Sequence, residues 1–473
     1  MKFTHDVIVI GAGAAGLTAA GGCAMFGLKA ALIERAEMGG ECLNNGCVPS
    51  KALITAARRA AEANEYERFG IQMAAAKVNW TGVHAHIHDA IAHIAPHDSQ
   101  ERFEEMGCDV YRGHARFTGP RTVEVDGVAL TAPKIVIATG SEPMVPPIEG
   151  LDSVPYLTNE NIWDLDQLPQ HLVIIGGGVI GMEMAQSFRR LGSEVTIIEP
   201  GDLMGRDDPD SVAVVVEQMK AEGVMFVKGT AARVTPGVLA SLSVTLEDGQ
   251  EVAGTHLLIA TGRRARTEGY GLEEIGVELG RNGIKVDARR RTNLKHIYAI
   301  GDCREGPRLT HVSGYEGSNV ALEITLGVPT KVDWSALPWC TYTDPEVAQI
   351  GMTEAQAREE LGDKVTVVRE GFDHNERAIA EGDTRGHLKV VMVGKKVLGA
   401  SIVGKNAGEM LLPFTQAITG KASTFAMGSA IIAYPTRSEI TKAAAFSAWE
   451  GTVFGSVPRG YAKTRAWFRK TLR

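Results

Sequence analysis

The chain is 473 residues long, with six cysteines and a net charge of −8 from 49 basic and 57 acidic residues. That length holds about three domain-sized cores of ~150 residues each, so no disulfide scaffold is required, and an acidic balance gives no general attraction to nucleic acid or anionic lipid. The first residues read straight into a strand without a leader-like pattern, and no apolar run reaches the ~18 residues of a bilayer span, so a cytoplasmic enzyme is expected.

Residues 5–34 read as strand, glycine-rich turn, helix, strand: DVIVI, then Gly11, Gly13 and Gly16, then KAALIE ending at Glu34. Residues 171–199 repeat the pattern with HLVII, then Gly176, Gly178 and Gly181, then EVTIIE ending at Glu199. In both repeats the acid follows the first glycine by 23 residues, close to the ~20-residue offset of a carboxylate that holds ribose hydroxyls. One glycine makes the turn, one lets a pyrophosphate approach the backbone, and one lets helix pack on strand, with the helix N-terminus facing the anion. Two such units, each with its acid, predict two bound dinucleotides.

Between and after these units stand the remaining signals. Residues 39–51, GGECLNNGCVPSK, place Cys42 and Cys47 five positions apart, just past Glu34. Pro49 and the helical run that follows put Cys47 at a helix N-terminus, where the positive end of the dipole stabilises a thiolate. Two cysteines closing a short loop beside a dinucleotide suit a redox-active disulfide. A structural metal needs two more soft ligands, which the segment lacks, and inert thiols are the remaining alternative. KIVIATG (134–140) and HLLIATG (256–262) are strands ending at turns where a ligand can lie against backbone, including Thr139, Gly140 and Gly262. The proline-rich stretch 141–155 reads as a linker, and IYAIGDC (297–303) as a strand ending in Gly301 and Asp302.

GGECLNNGCVPSK, the paired fingerprints, IATGSEP, IYAIGDC and LTHVSGYEG together resemble the pyridine nucleotide–disulfide oxidoreductases, from Val7 to about Ala445. The resemblance implies an α/β fold: two doubly wound Rossmann-like domains and a C-terminal α+β dimerisation domain. The implied boundaries are 1–147 and 271–336 for the FAD-binding and central parts, 148–270 for the NAD domain, 337–458 for the interface domain and 459–473 for a basic tail. It places FAD on Gly11, Gly13, Gly16, Glu34, Gly40, Lys51, Thr139, Gly140, Gly301 and Asp302, and NAD on Gly176, Gly178, Gly181, Glu199 and Gly262. Cys47 becomes the flavin-facing thiol and Cys42 the interchange thiol. Lys51 pairs with Glu183, which suits a buried lysine in need of an acid. The implied reaction is dihydrolipoamide dehydrogenase-like: electrons pass from NAD(P)H through flavin and Cys42–Cys47 to a small-molecule or protein-bound disulfide or dithiol, in a homodimer.

One departure bears on mechanism. The family's disulfide reductases usually carry His-x-His-Pro-Thr-x-x-Glu near the C-terminus, whereas mercuric reductases replace that histidine; here the frame reads Ile432-Ala-Tyr434-Pro435-Thr436-Arg-Ser-Glu439. The glutamate is kept and both histidines are gone. Tyrosine donates a proton but is a poor base near neutrality, and acid–base help is worth ~10²–10⁴ in rate. Tyr434 and Glu439 therefore enter the catalytic set with lipoamide turnover in doubt. Reduction of a mercuric or other soft metal ion is the first alternative, although no cysteine follows Glu439; a redox-sensing or complex-assembly role with little turnover is the second. Glu199 favours NADH over NADPH, because a carboxylate repels a 2′-phosphate. No metal site is expected. His84, His86, His88, His93 and His97 read as a solvated helix, with metal chelation by His84 and His88, which share a helical face, as the alternative; Cys23, Cys108 and Cys340 read as core or surface thiols, and Cys303 as one close to the flavin turn at most. The basic tail, with Tyr461, Phe468 and Leu472 on one helical face, is expected to dock on its own body or stay disordered in preference to touching a membrane surface.

Overall fold

The computed structural model describes residues 2–63, 65–72, 74, 76–238 and 241–471. They divide into two compact units, Met1–Gly201 with Gly223–Val332, and Asp202–Glu222 with Asp333–Arg473.

The first unit is built on a five-stranded parallel sheet in the order Ile297–Ala299, Lys134–Ile137, Val7–Ile10, Ala30–Glu34, Cys108–Arg112. Val7–Ile10 is buried at every position, as expected of a parallel strand covered on both faces. The period-two alternation divides the core. Val7 and Val9 pack toward helix Ala14–Met25, while Ile8 and Ile10 face Phe117, Val123 and Leu130 of a three-stranded antiparallel meander. A second parallel sheet repeats this order with Met225–Lys228, Glu194–Glu199, His171–Ile175 and His256–Ile259, and it too carries a three-stranded meander, over 231–254. The duplication therefore reaches well beyond the glycine fingerprints. In the stretch expected as linker, Ser141–Pro143 pairs antiparallel with Arg263–Ala265.

The second unit is a five-stranded antiparallel sheet in the order Pro338–Thr341, Glu346–Gly351, Lys396–Gly404, His387–Val393, Val365–Gly371, covered by helices that include Glu439–Val453. Helix Pro209–Ala221 belongs to this unit, although its sequence lies inside the expected NAD-domain span. Its Asp208 cap and Asp210 bond the buried Lys389 at 2.8 and 2.6 Å. The expectation for the tail needs correcting. Ser456–Thr471 is a helix exposed along its whole length, so it neither packs on its own body nor lacks structure, and membrane contact finds no support. Leu472, assigned to its apolar face, lies outside the described residues. Among the described residues no helix is long and apolar enough to cross a membrane.

Candidate active site

Both glycine turns are built alike, down to single hydrogen bonds. Gly11 has φ +106° and Gly176 φ +114°, and a Cβ at either would sit 2.2 Å from the Ala138 carbonyl oxygen or 2.4 Å from that of Ala260. A Cβ on Gly16 would overlap the Gly11 carbonyl at 1.7 Å, and one on Gly181 the Gly176 carbonyl at 2.0 Å. These four glycines are demanded by the chain itself. Gly13 and Gly178 are different: a Cβ on Gly13 meets nothing nearer than 3.8 Å and one on Gly178 meets nothing within 4 Å. Those two openings stand at the N-termini of helices Ala14–Met25 and Val179–Leu191, where unpaired N–H groups and the helix dipole favour an anion.

The acids close the same loops. Glu34 accepts from the Ala12 N–H (2.6 Å) and the Ala36 N–H (2.8 Å); Glu199 accepts from Gly177 (2.7 Å) and Gly201 (2.8 Å). Each carboxylate is thereby fixed at the end of its strand beside the glycine turn. A cavity of about 360 Å³ is lined by Gly11, Gly13, Glu34, Gly40, Thr139 and Gly140. Gly40, at φ +60°, lies so close that a Cβ on it would reach 2.6 Å from the Gly13 Cα. A cradle of bare backbone, a helix N-terminus and a fixed acid fit a dinucleotide such as FAD.

The two cysteines stand on adjoining helices. Cys42 is within Gly40–Asn44, and Cys47 opens helix Cys47–Ala63, where the sequence placed it. The two thiols perturb each other in opposite directions. Cys42, the hydroxyl of Thr310 at 3.2 Å and the Lys51 charge push the Cys47 thiol down, against partial desolvation of an otherwise exposed side chain. The Cys42 thiol is pushed up by sharing its proton with Cys47 and by burial. Of the two, Cys47 is the thiol whose proton is the more easily lost. Lys51, one turn into the helix, reaches Glu183 of helix Val179–Leu191 at 2.9 Å, and the Glu183 side chain is nearly sealed from solvent.

Sequence reasoning missed a network around this pair. Arg263, from the strand after the second Ala-Thr-Gly turn, bonds the Glu41 carboxylate, donates to Asn159 at 3.2 Å and to the Ser141 hydroxyl at 2.9 Å. Ser141 in turn donates to Asp302 at 2.7 Å, and Asn159 donates to Glu41 at 2.7 Å. Burial raises the Glu41 carboxyl to about 7 against the pull of Arg263. The residue before Cys42 is thus tied to Asp302 through two side chains. Gly301, at φ +69°, gives its N–H to the fully buried Glu316 at 2.8 Å. Two signals were available: Glu41 adjoins a cysteine of the motif, and Arg263 directly follows Gly262.

Cys303 does not open toward this network. It is fully buried, its thiol pushed up to about 12 by burial, and it donates to the carbonyls of Ile300 and Ile137. In the second unit Tyr434 is exposed, and Glu439 begins its helix with Oε2 accepting from the Thr436 N–H at 3.3 Å.

Comparison with known proteins agrees with this architecture. A model of pyridine nucleotide-disulphide oxidoreductases matches residues 5–317, and one of their dimerisation domain matches residues 337–445. A dihydrolipoyl dehydrogenase of Thermus scotoductus is 37% identical over 458 residues, covering 92% of this chain and 95% of its own. A mercuric reductase of Streptomyces lividans is 36% identical over 455 residues, covering 93% and 95%. Among solved structures, the HOCl-induced flavoprotein disulfide reductase RclA from Escherichia coli superposes with a TM-score of 0.84 at 28% identity, covering 93% of this chain and 99% of its own.

Proposed function

Since the chain belongs to the pyridine nucleotide-disulphide oxidoreductase family, and so is an FAD-dependent enzyme that uses NAD(P) and carries a dimerisation domain, we propose that it passes electrons from NADH to a disulfide acceptor through Cys42 and Cys47. The carrying observation is the asymmetry of the two thiols. Cys42, Thr310 and Lys51 all push the Cys47 thiol down, while the Cys42 thiol is pushed up.

Gly11, Gly13, Gly16, Glu34, Gly40, Thr139, Gly140, Gly301 and Asp302 hold the FAD in this reading, and Gly176, Gly178, Gly181, Glu199 and Gly262 hold the nicotinamide nucleotide. When bound, FAD supplies the step between a two-electron hydride donor and a sulfur–sulfur bond. Lys51, kept in place by Glu183, sets a cation beside the pair. The Cys42 sulfur, once deprotonated, attacks an acceptor disulfide and releases one thiol; Cys47 then displaces the second and restores the Cys42–Cys47 bond. In sum NADH, one proton and a disulfide give NAD⁺ and two thiols. In this reading Tyr434 serves as hydrogen-bond donor to the leaving thiol, with Glu439 retained in the same motif, and the dimerisation domain supports a homodimer.

Glu199 supports NADH over NADPH. Its carboxylate is fixed by two N–H groups at the end of its strand, and a carboxylate in that role repels a 2′-phosphate.

A second reading, reduction of a thiol-bound soft metal ion, is favoured by Tyr434 in place of histidine, because a bound cation has no leaving thiol to protonate; mercuric reductases are among the relatives. NADH oxidation by the purified protein with lipoamide, small disulfides and Hg²⁺ in turn separates the two. Turnover with a disulfide supports the first. Turnover with Hg²⁺ alone supports the second, and slow turnover with every acceptor contradicts both.

A further inference from the structure

Helix Trp80–Ile94 carries four histidines that no step above uses. Two of them, His84 and His88, stand one turn apart with Nε2 atoms 3.1 Å from each other and ring centroids 4.3 Å apart. The Trp163 carbonyl oxygen lies 3.3 Å from the same His88 nitrogen. That carbonyl is rigidly mounted: Trp163 is buried, and its indole N–H donates to the carbonyls of Asn159 at 2.7 Å and Asn45 at 3.1 Å. The helix is fastened to the same segment at its first residue, where the Trp80 indole N–H donates to the Leu165 carbonyl at 2.7 Å. Three potential ligand atoms from two elements thus converge, and the histidine side is open to solvent.

The spacing suits a shared ion. With metal–imidazole bonds of about 2.0–2.1 Å, nitrogens 3.1 Å apart subtend roughly 95–102° at the ion, between the angles of tetragonal and tetrahedral coordination. Imidazole nitrogen selects late first-row divalent ions, in the order Zn²⁺ and Ni²⁺ below Cu²⁺. We propose that His84 and His88 form a binding site for such a cation, completed by the Trp163 carbonyl oxygen and water. Among the described residues no group of three or more His, Cys, Asp or Glu side chains is placed to hold a metal, so this is an exchangeable two-imidazole site, weaker than a four-ligand structural one. Occupancy would bridge the helix to the Trp163 segment, and through Trp163 to Asn45 in the loop between the two cysteines.

The test uses FAD-loaded protein with its cysteine pair oxidised, so that thiolates do not compete, and Ni²⁺ or Cu²⁺ alone as probe. Calorimetry should find one Ni²⁺ per chain, with a dissociation constant of roughly tens of micromolar. His84→Ala and His88→Ala should each weaken it at least about tenfold, and His86→Ala should leave it unchanged. Ni²⁺ should raise the melting temperature of the wild type and not of His88→Ala. The paramagnetic resonance of bound Cu²⁺, which needs no variant, should show two equivalent nitrogen ligands. Equal affinity in wild type and both alanine variants, no binding up to millimolar Ni²⁺, or a Cu²⁺ signal without paired nitrogens would each overturn the assignment.

Discussion

Lys51 Nζ and Glu183 Oε2 lie 2.9 Å apart, joining the helix that opens at Cys47 to the helix behind the second glycine turn. Both charges reach the Cys47 sulfur with opposite sign: Lys51 draws its proton off and Glu183 holds it on. Lys51→Met should therefore raise the apparent pKa of Cys47, and Glu183→Gln should lower it. The pH dependence of iodoacetamide alkylation of the reduced protein measures both. Shifts of the same sign in the two variants would show that the pair acts only as a structural tie.

The glycines separate fold from ligand binding. Gly176→Ala drives a Cβ into the Ala260 carbonyl at a backbone angle that L-residues rarely adopt, and should lower stability by more than about 1 kcal/mol. Gly178→Ala meets nothing within 4 Å. It should keep the melting temperature and the bound FAD while raising the KM for NADH at least about tenfold, because only the approaching pyrophosphate feels the methyl group. Thermal melts and NADH kinetics on the two variants check this together.

The same turn carries the proposal for coenzyme choice. With Glu199 fixed by Gly177 and Gly201, kcat/KM should favour NADH over NADPH by at least about tenfold, roughly 1.4 kcal/mol. Glu199→Gln, which keeps an acceptor for one N–H and removes the charge, should narrow the ratio mainly through the NADPH term. An unchanged ratio would move the discrimination elsewhere.

Tyr434 tests the acid–base account. Tyr434→His restores a group able to take and return a proton at neutral pH in the motif that retains Glu439. Lipoamide-dependent NADH oxidation should rise at least about tenfold, with Hg²⁺-dependent oxidation little changed. An equal or lower lipoamide rate would remove tyrosine as the limit.

The paired fingerprints were legible because their demands are local. Gly11 and Gly176 need a positive φ, Gly16 and Gly181 need room against a carbonyl, and each acid follows at a fixed offset. The helix start at Cys47 was legible for the same reason, since Pro49 suits a first turn. The meander over 231–254 was not, because short amphipathic strands earn their pairing only from partners across the sheet. The Arg263–Glu41 contact spans 222 positions, which no periodicity can register. Helix Pro209–Ala221 groups with the second unit through contacts far away in the chain, among them Asp210 with buried Lys389, 179 positions on, and Ser211 with Ser401. The tail's state was not legible, because basic charge and a helical apolar face do not say what covers that face; Val457, Tyr461, Trp467 and Phe468 all stay exposed.

The most direct test of the relay is the absorption spectrum of three purified proteins: wild type, Cys42→Ala and Cys47→Ala. All three should carry bound FAD. Cys42→Ala should show a long-wavelength thiolate–flavin band at neutral pH without any reductant, wild type should gain that band on anaerobic reduction by one equivalent of NADH, and Cys47→Ala should lack it under both conditions. A band that survives in Cys47→Ala and vanishes in Cys42→Ala, or a wild-type protein that neither carries nor takes up FAD, would contradict the account.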